Sequence, residues 1–331
     1  MSINKKYIYQ HIFNNESTNS SHIWDTILKL EYLDINLSRN NLIDTKNKNK
    51  TLVSQLLEAR MKIHENTEHK IIPSDRPFIV RLDGSNFKKY TAAFEKPMDS
   101  NLAKIMIMTT NNLINKFGAV TGYTHSDEIS LVFGSAEQSN HMYNGRIHKI
   151  CSIIAAYCSV VFNKLITNLL ANNQELFGEE QRTYINQSIP IFDSRIVIFP
   201  ENRDMEMVNY FIWRSVMDCS RNCVMNYARY KLGPELIKNK KNVELVEMMK
   251  AIGFNIDNDI PIIFKQGTYC KKIAVEQLGK NDKGEEVRYT RNKIINFTFK
   301  MTYCEKYFNL IMKKIMTESD CHIDDIQLLN K

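Results

Sequence analysis

Apolar positions recur at two different spacings along the chain, and the changes between them outline its elements. Short runs rich in β-branched and aromatic residues predict strands at 77–84, "PFIVRLDG", and at 192–200, "FDSRIVIFP". Between them, "AVTGYTH" and "EISLVFG" predict two strands joined by a tight turn at His125-Ser126-Asp127. Helical spacing predicts helices at 98–118 and 141–171. The order strand, helix, strand, strand, helix, strand is that of the ferredoxin-like split βαβ fold.

The segments on either side of this core have their own patterns. Residues 205–233 and 241–254 read as helices, and "KQGTYCKKIAV" and "EVRYTRNKIINFTFK" read as later strands. An amphipathic helix is predicted at 52–69, and the Asn-rich and Lys-rich residues before it predict a partly flexible extension. We therefore predict an α+β protein. It has an N-terminal extension (1–51), a βαββαβ core with helices on one face (52–200), and a helical and β-hairpin part packing on that core (201–331).

Composition adds little to this outline. The formal net charge of +7 is a mild indication of an anionic partner such as nucleic acid or a nucleotide. The seven cysteines are scattered, odd in number and without a CxxC pair, which favours neither a disulfide framework nor a zinc site and indicates a reducing compartment. No apolar run approaches the ~18 residues of a membrane span, and no secretory segment is evident. We expect the cytoplasm, with the mitochondrion as the alternative and no membrane partner.

Three carboxylates stand where predicted strands end or begin. The first strand stops at Asp83-Gly84, and the turn before the third strand carries Asp127 and then Glu128. These strands are antiparallel neighbours in the split βαβ fold, so Asp83 and Asp127 should meet at one edge of the sheet. Converging carboxylates are ligands for Mg²⁺, and the Gly84 carbonyl can add another oxygen. Glu128 should point to the opposite face and act in support. A two-metal site of this kind would hold a triphosphate.

Several longer motifs then carry a resemblance to a known family. They are "FIVRLDGSNFKKYT", "FEKPMDSNLAKIM", "GYTHSDEISLVF" and "RIHK", followed by "FDSRIVIFP", "VNYFIWRSVMDCSRN" and "KQGTYCKK". Over roughly residues 52–275 the chain resembles the tRNA-histidine guanylyltransferase family. The resemblance implies a palm-like catalytic domain, two Mg²⁺ ions and a homotetramer. It also implies three steps: a 5′-monophosphate on tRNA is activated with ATP or GTP, the 3′-hydroxyl of an incoming NTP attacks it, and pyrophosphate is removed from the new end.

The same resemblance assigns roles to individual residues. Asp83 and Asp127 fall on the metal carboxylates and Gly84 on the carbonyl ligand, while Ser126 and Glu128 complete the Ser-Asp-Glu motif. The implied catalytic residues are thus Asp83, Asp127 and Glu128. The implied nucleotide-binding residues are Gly84, Ser85, Asn86, Phe87, Lys96, Ser126 and Asp127, with Lys96 contacting the triphosphate. The basic pair Arg146 and Lys149 is assigned to phosphate or to the RNA 5′ end.

One departure from the family pattern points to a branch. Members that guanylylate tRNA-histidine carry His-Ile-Asn-Asn after "WRxxDC". Here the stretch is "WRSVMDCSRN", with Ser220 at the His position, followed by Arg221 and Asn222. This form resembles the Thg1-like protein branch, which is associated with template-dependent 3′–5′ addition and repair of 5′-truncated tRNAs. We therefore expect tRNA 5′-end repair, with Arg221 and Asn222 contacting tRNA.

Three other functions stay open at this point. Dedicated addition of G at position −1 of tRNA-histidine is the alternative within the family. A nucleotide cyclase of the GGDEF type would share the sheet, but its Gly-Gly-Asp-Glu turn differs from His125-Ser126-Asp127-Glu128. A non-catalytic RNA-binding protein of the same fold is the third, and the presence of Asp83, Asp127 and Lys96 counts against it.

Overall fold

The computed structural model describes residues 70–329, apart from 138–139, 202, 204, 281, 283–284, 318–319 and 321–325, together with residues 61, 62 and 65. The predicted extension (1–51) and most of the predicted helix at 52–69 lie outside the described residues, and Met61, Lys62 and Glu65 are helical. The chain divides into two compact units, 1–69 and 70–331. All that follows concerns the second.

A single antiparallel sheet runs through this unit. Its strands are β1 Phe78–Ser85, β2 Thr121–His125, β3 Glu128–Phe133, β4 Ile191–Ile198, β5 Thr268–Lys280, β6 Glu286–Thr298 and β7 Gln327–Leu328. The strand order is β4-β1-β3-β2-β5-β6-β7. The first four strands therefore have the predicted split βαβ arrangement, with β1 between β4 and β3. The β5–β6 hairpin extends the same sheet, because β5 pairs with β2.

Helices connect and cover the strands. They are α1 Phe87–Tyr90, α2 Ser100–Phe117, α3 Ile147–Asn172, α4 Glu179–Gln187, α5 Glu206–Phe211, α6 Ser220–Leu232, α7 Asn242–Ala251, α8 Ile256–Asp259, α9 Ile262–Gln266 and α10 Glu305–Met312. Short 3₁₀ turns lie at Thr91–Ala93, Met142–Gly145 and Gln174–Leu176. Between α5 and α6, Ile212–Cys219 is wound as a π-helix, which we call the π segment.

The helix boundaries show which sequence signals determined them. At the start of α2, the Asp99 side chain accepts hydrogen bonds from the backbone N–H groups of Asn101 and Leu102, and Gly118 ends the helix at φ 71°. Both ends agree with the prediction. The interpretation of 205–233 as one α-helix was wrong in its middle, because side-chain spacing does not reveal a π turn. The polar helix α4 was also missed, since it buries only Ile185.

Apolar clusters cover both faces of the sheet. On one face α2 and α3 pack against alternate residues of β1 and β3, including Val80, Leu82, Ile129 and Leu131. On the other, α5 and α10 pack on the neighbouring positions and on β2, β5 and β6, through Tyr123, Tyr269 and Phe297 among others. The core helices α2 and α3 thus lie on one face, as predicted, and the helices on the other face belong to residues 201–331. On β1 the second cluster includes Ile79, and the next positions on the same face, toward the end of the strand, are the polar Arg81 and Asp83.

Among the described helices, α3 is long and apolar enough, by length and composition, to cross a membrane. The expectation that no apolar run reaches this length was therefore wrong. The helix nevertheless has a face that is buried within the protein, because Ile150, Ile154, Cys158, Phe162, Ile166 and Leu170 recur every four residues and lie in the core. It packs along β4, where the Ser194 hydroxyl donates to the Cys151 carbonyl at 2.7 Å.

Candidate active site

The two carboxylates predicted to converge lie at the same end of the sheet. Asp83 is the register partner of Glu128 across β1 and β3, and Asp127 directly precedes Glu128. The Gly84 backbone N–H donates to the Asp127 carbonyl at 3.1 Å, so the end of β1 is bonded to the β2–β3 turn. Ser126 takes φ 50° in this two-residue turn, and its hydroxyl donates to Asp127 Oδ1 at 2.9 Å. The geometry joins Asp83, Gly84, Ser126 and Asp127 in one place.

The backbone beyond Asp83 bends sharply, and the bend explains Gly84. Asn86 lies in the left-handed region at φ 56°, which turns the chain back toward the sheet. The Phe87 ring then covers Gly84, where an added Cβ would lie 2.3 Å from the ring atom Cδ2. Any other residue would have to displace this ring. Phe87 itself is buried between Phe162 and Phe192. Its assignment to a nucleotide pocket stays a prediction, since its ring belongs to the core.

Negative charge accumulates around Asp83. Burial, followed by the nearby charges of Glu128 and Asp127, raises the pKa of Asp83. On the other side of β1, Asp193 is the register partner of Asp83 and adds a further negative charge. Burial likewise raises the pKa of Asp127, against the hydrogen bond from Ser126. The ionised forms of these carboxylates are thus disfavoured without a compensating cation.

One cationic side chain of the described residues lies beside Asp83 on the exposed side. Arg195 Nη2 is 3.5 Å from Asp83 Oδ2 and 3.2 Å from Asp193 Oδ1. Its side chain is half exposed, at 53%. An exposed pair of this length is weakly held, so Arg195 can move aside or turn to an incoming anion at little cost.

Glu128 has a different environment, because two guanidinium groups hold it. Arg81 Nη2 donates to its Oε1 at 2.6 Å, and Arg214 Nη2 donates to its Oε2. Arg214 comes from the π segment and also lies 3.1 Å from Asp218 Oδ2. The Arg214 side chain is only 3% exposed. Both oxygens of Glu128 are thus engaged, which agrees with a supporting role.

Asp218 collects several partners in the π segment and α6. The His125 imidazole, 3.7 Å away, makes the largest contribution to lowering the pKa of Asp218 to about 2, and the Arg214 and Arg221 guanidinium groups add to it. Arg221 Nη2 donates to Asp218 Oδ1 at 2.7 Å, and Asn222 Nδ2 donates to its Oδ2 at 3.2 Å. Asp218 therefore stays ionised. The predicted RNA contacts Arg221 and Asn222 are both tied to it.

Two groups of residues could be considered for a metal ion. His125, Glu128 and Asp218 offer ligand atoms within 4.8 Å of one another. A cation there would have to displace Arg214, which already contacts both carboxylates. The pKa values of Asp83 and Asp127 are both raised by burial. In the part of the chain that the structure describes, no arginine forms an ion pair with both carboxylates, as Arg214 does with Glu128 and Asp218. The donor set of this pair fits a hard divalent cation better.

Other predicted residues lie apart from the carboxylates. The Lys96 ammonium donates to the Thr91 carbonyl at 2.6 Å in the loop before α2. Within the described part of the chain, no hydrogen bond or ion pair joins it to Asp83 or Asp127. Arg146 and Lys149 lie at the start of α3, where Ile71 bridges to Arg146. Lys149 lies over the Tyr143 ring, 5.3 Å from its centroid, and Arg146 donates to the Tyr143 carbonyl. Among the described residues, no hydrogen bond or ion pair joins either of them to Asp83 or Asp127.

Sequence reasoning missed five charged residues around the site: Arg81, Asp193, Arg195, Arg214 and Asp218. A signal was present for three of them, because side chains two apart on a strand lie on the same side. Arg81 therefore lies on the side of Asp83, and Asp193 lies on the side of Arg195. Arg214 and Asp218 had no such signal. Three residues separate them, one more than in the pattern "WRxxDC", and the extra residue falls in the π segment.

Comparison with known proteins identifies the family. The sequence pattern described as tRNAHis guanylyltransferase matches residues 58–200. Uncharacterized protein R259 of Acanthamoeba polyphaga mimivirus is 37% identical over 83% of this chain and 94% of its own length. The chain belongs to the tRNA(His) guanylyltransferase family. Members of this family are nucleotidyltransferases acting on tRNA.

Further relatives and solved structures agree. The tRNA(His) guanylyltransferase of Debaryomyces hansenii is 28% identical over 72% of this chain and 88% of its own. A bacterial tRNA(His) guanylyltransferase (Thg1)-like protein in complex with ATP has a TM-score of 0.56 and 26% identity, covering 65% of this chain and 88% of that chain. Its counterpart in complex with GTP has a TM-score of 0.51 and 25% identity, covering 72% and 90%. The shared fold combines helices with an antiparallel sheet.

Proposed function

We propose that this protein is a template-dependent 3′–5′ nucleotidyltransferase that adds nucleotides to the 5′ end of 5′-truncated tRNA. The single observation that carries the proposal is the meeting of Asp83 and Asp127 at one end of the sheet, joined by the Gly84 N–H. This is the constellation that a palm-type nucleotidyl transfer needs, since it gathers anionic ligands beside an exposed surface. ATP or GTP would activate the 5′-phosphate, as the nucleotides bound by the bacterial Thg1-like protein suggest.

Asp83, the Gly84 carbonyl and Asp127 would hold the two Mg²⁺ ions of this chemistry. When bound, such ions stabilise the charge that develops on phosphoryl oxygens. The fit rests on the raised pKa values of both carboxylates, because a nearby cation relieves the crowding of negative charge that burial intensifies. The Phe87 ring would keep water away from the core side of Gly84. Hydrogen bonds from the Ser126 hydroxyl and the Gly84 N–H would orient Asp127.

Basic residues on the exposed side supply the contacts for phosphate and RNA in this proposal. Arg195 is placed to leave Asp83 for an incoming phosphate once a cation is present. Lys96 would reach a triphosphate after the loop that carries it moves from the Thr91 carbonyl. Arg146 and Lys149 would bind RNA at the start of α3, or serve another subunit of a homotetramer.

The choice of branch rests on α6. Ser220, Arg221 and Asn222 replace the His-Ile-Asn-Asn stretch of members that guanylylate tRNA-histidine. The Ser220 hydroxyl donates to the Lys265 carbonyl at 2.8 Å, so it fixes α6 on α9 instead of facing a ligand. We therefore favour tRNA 5′-end repair over addition of G at position −1. We also place the activity in the cytoplasm, with the mitochondrion as the alternative.

The testing experiment uses a 5′-monophosphorylated tRNA that lacks its first nucleotide. Purified protein receives Mg²⁺, ATP for activation and each NTP singly, and the length of the 5′ end is read on a gel. Two substrates differ only in the opposing 3′-strand base, C in one and A in the other. We expect addition of G opposite C and of U opposite A.

The other outcomes assign the alternatives. Addition of G alone, and only to tRNA-histidine, would place the protein among the dedicated guanylyltransferases. Binding of tRNA without addition to any substrate would contradict catalysis and favour a non-catalytic RNA-binding protein.

A further inference from the structure

Both ends of the β2–β3 turn are tied to the π segment. Glu128, which follows the turn, contacts Arg214 of the π segment. His125, which precedes the turn, lies 3.7 Å from Asp218 of the same segment. Arg214 and Asp218 are themselves 3.1 Å apart. These three contacts connect the two ends of the turn through the π segment, and we call the four residues the turn clamp.

The turn clamp is largely buried, and both of its carboxylates are paired with arginines. The side chains of Arg214, Asp218 and Glu128 are 3%, 13% and 15% exposed. Arg81 also contacts Glu128, and Arg221 also contacts Asp218, so that each carboxylate has two guanidinium partners. Buried ionic groups of this kind are poor sources of stability compared with apolar side chains of the same size. Stability alone is therefore a weak reason for building the turn clamp.

A π-helix is a rare way to carry these residues, and such segments occur frequently at functional sites. In the π segment Arg214 and Asp218 are four residues apart, and both reach the turn. The turn itself contains only Ser126 and Asp127 between its clamped ends. Movement of either end must therefore shift Asp127 relative to Asp83.

We propose that Arg214 and Asp218 are positioning residues that fix Asp127 against Asp83 for catalysis. They act through Glu128 and His125 and contact no reacting atom. The inference rests on the proposed function, in which Asp83 and Asp127 are the metal carboxylates. Residues that orient metal ligands typically influence metal affinity or activity by about 10–100-fold. Their loss should be visible both in metal binding and in the turnover rate.

Two variants test the turn clamp without leaving an isolated buried charge. In Arg214→Met, Glu128 keeps Arg81 and Asp218 keeps Arg221. The double variant Arg214→Met with Asp218→Asn removes a cation and an anion together, which protects folding. Mn²⁺ binding to the protein alone is measured by electron paramagnetic resonance. The kcat and the KM for NTP are measured on 5′-truncated tRNA, well below the melting temperature.

We expect both variants to bind Mn²⁺ about 10–100-fold more weakly than the unaltered protein. Their kcat should fall roughly 100-fold, because a misplacement of about 1 Å costs that much, while the KM for NTP changes little. The double variant should be no worse than Arg214→Met, since residues of one network are not additive. As the matched control, Arg76→Met breaks the Arg76–Glu201 pair beside the other end of β1 and should change neither quantity.

Unchanged Mn²⁺ affinity and kcat in the double variant would overturn the turn clamp; this variant decides because Asp218→Asn also removes a carboxylate from the His125, Glu128 and Asp218 group that Arg214→Met alone would open to a cation. The same follows if Mn²⁺ binding by the unaltered protein does not depend on Asp83. Failure of the proposed function looks different: the unaltered protein would add no nucleotide to any tRNA. The Mn²⁺ comparison would then still decide whether Arg214 and Asp218 position the carboxylates.

Discussion

The two faces of β1 and β3 are made of alternate residues of the same strands, yet they differ in chemistry. Toward α2 and α3, the side chains of Val80, Leu82, Ile129 and Leu131 are apolar and fully buried. Toward the π segment, neighbouring positions include Arg81, Ser130 and Glu128, joined to Arg214 and to the Tyr210 hydroxyl. One strand pair therefore has an apolar face toward α2 and α3, and a face toward the π segment on which charged side chains lie beside the buried Ile79 and Val132.

The difference separates stability from activity. Apolar burial contributes ~25 cal/mol per Å², so the buried side chains toward α2 and α3 stabilise the fold, as do those of the apolar cluster on the other face. The charged face has the opposite effect at Asp83 and Asp127, where burial raises the pKa and disfavours the ionised form. Substitutions at the charged residues should lower activity without lowering stability, and substitutions at the apolar residues toward α2 and α3 should lower stability with little change in kcat.

The largest effect is expected from Asp83→Asn and Asp127→Asn. Each should lower nucleotide addition by roughly 10³-fold or more, because groups that act as a unit fail together. Each should also raise the melting temperature at pH 7.5. The folded-state pKa lies above the ordinary value, so the carboxylate loses stability as pH rises through it, and the neutral amide avoids this loss. The gel assay measures nucleotide addition, and thermal unfolding measures the melting temperature. Retained activity in either variant would contradict the assignment of Asp83 and Asp127 as metal ligands.

On the apolar face, Phe162→Ala should act in the opposite way. Phe162 is fully buried on α3 and contacts Phe87, Tyr90 and Phe192. We expect a loss of about 3–5 kcal/mol in the free energy of unfolding, measured in urea. The kcat of the folded protein in the cold should change little. Val160→Ala on the same helix, at a 67% exposed position, is the control and should stay within about 0.5 kcal/mol. Equal losses in the two variants would contradict the assignment.

Lys271 is a second kind of buried ionisable group, because it lies in the apolar part of the sheet and not at the candidate site. Its ammonium donates to the Val120 and Ile311 carbonyls and to the Thr121 hydroxyl at 2.7–3.0 Å. Burial lowers the pKa of Lys271 to about 7. Between about pH 7 and 10.5 the unfolded chain therefore binds the additional proton, and Lys271 makes stability rise with pH.

The variant Lys271→Met should lose this dependence. The unfolding free energies of the two proteins should diverge by up to about 1.4 kcal/mol per pH unit above pH 7. Urea unfolding at several pH values between 7 and 9.5 measures the difference. Parallel pH profiles would show that Lys271 titrates normally in the folded protein.

The smallest effect is expected from the cap of α2. The Asp99 carboxylate accepts from the Glu95, Asn101 and Leu102 N–H groups at 2.7–3.0 Å. Asp99→Ala should cost about 1 kcal/mol of unfolding free energy, since N-cap residues contribute this much. Asp99→Asn keeps an acceptor and should retain most of it. Indistinguishable unfolding curves for the alanine and asparagine variants would argue against the cap.

Much of the sheet and of the carboxylate pair could be predicted from the sequence, because local signals determine them. Strand periodicity and the split βαβ order were enough to bring Asp83 next to the β2–β3 turn, as the Gly84 to Asp127 hydrogen bond confirms. Asp99 and Gly118 marked the ends of α2 for the same reason. Each of these features depends on residues close in sequence or on a fixed topology.

The turn clamp could not be predicted, since it depends on contacts across long sequence separations. Glu128 and Arg214 are 86 residues apart, and a π turn has no side-chain periodicity that would reveal it. The positions of Lys96, Arg146 and Lys149 relative to Asp83 likewise required the packed structure. Phe87 is assigned to the nucleotide pocket by a motif that adjoins Asp83, and only the structure shows that its ring packs in the core after the left-handed Asn86.

The most direct test of the central claim is the first chemical step. ATP labelled at the α-phosphate, Mg²⁺ and a 5′-monophosphorylated tRNA lacking its first nucleotide are incubated with the unaltered protein and with Asp83→Asn. We predict that the unaltered protein transfers labelled AMP to the tRNA 5′ end. We expect no transfer when EDTA is present from the start, and none with Asp83→Asn. Label transfer by Asp83→Asn at the unaltered rate would contradict the assignment of catalysis to the carboxylates at this end of the sheet.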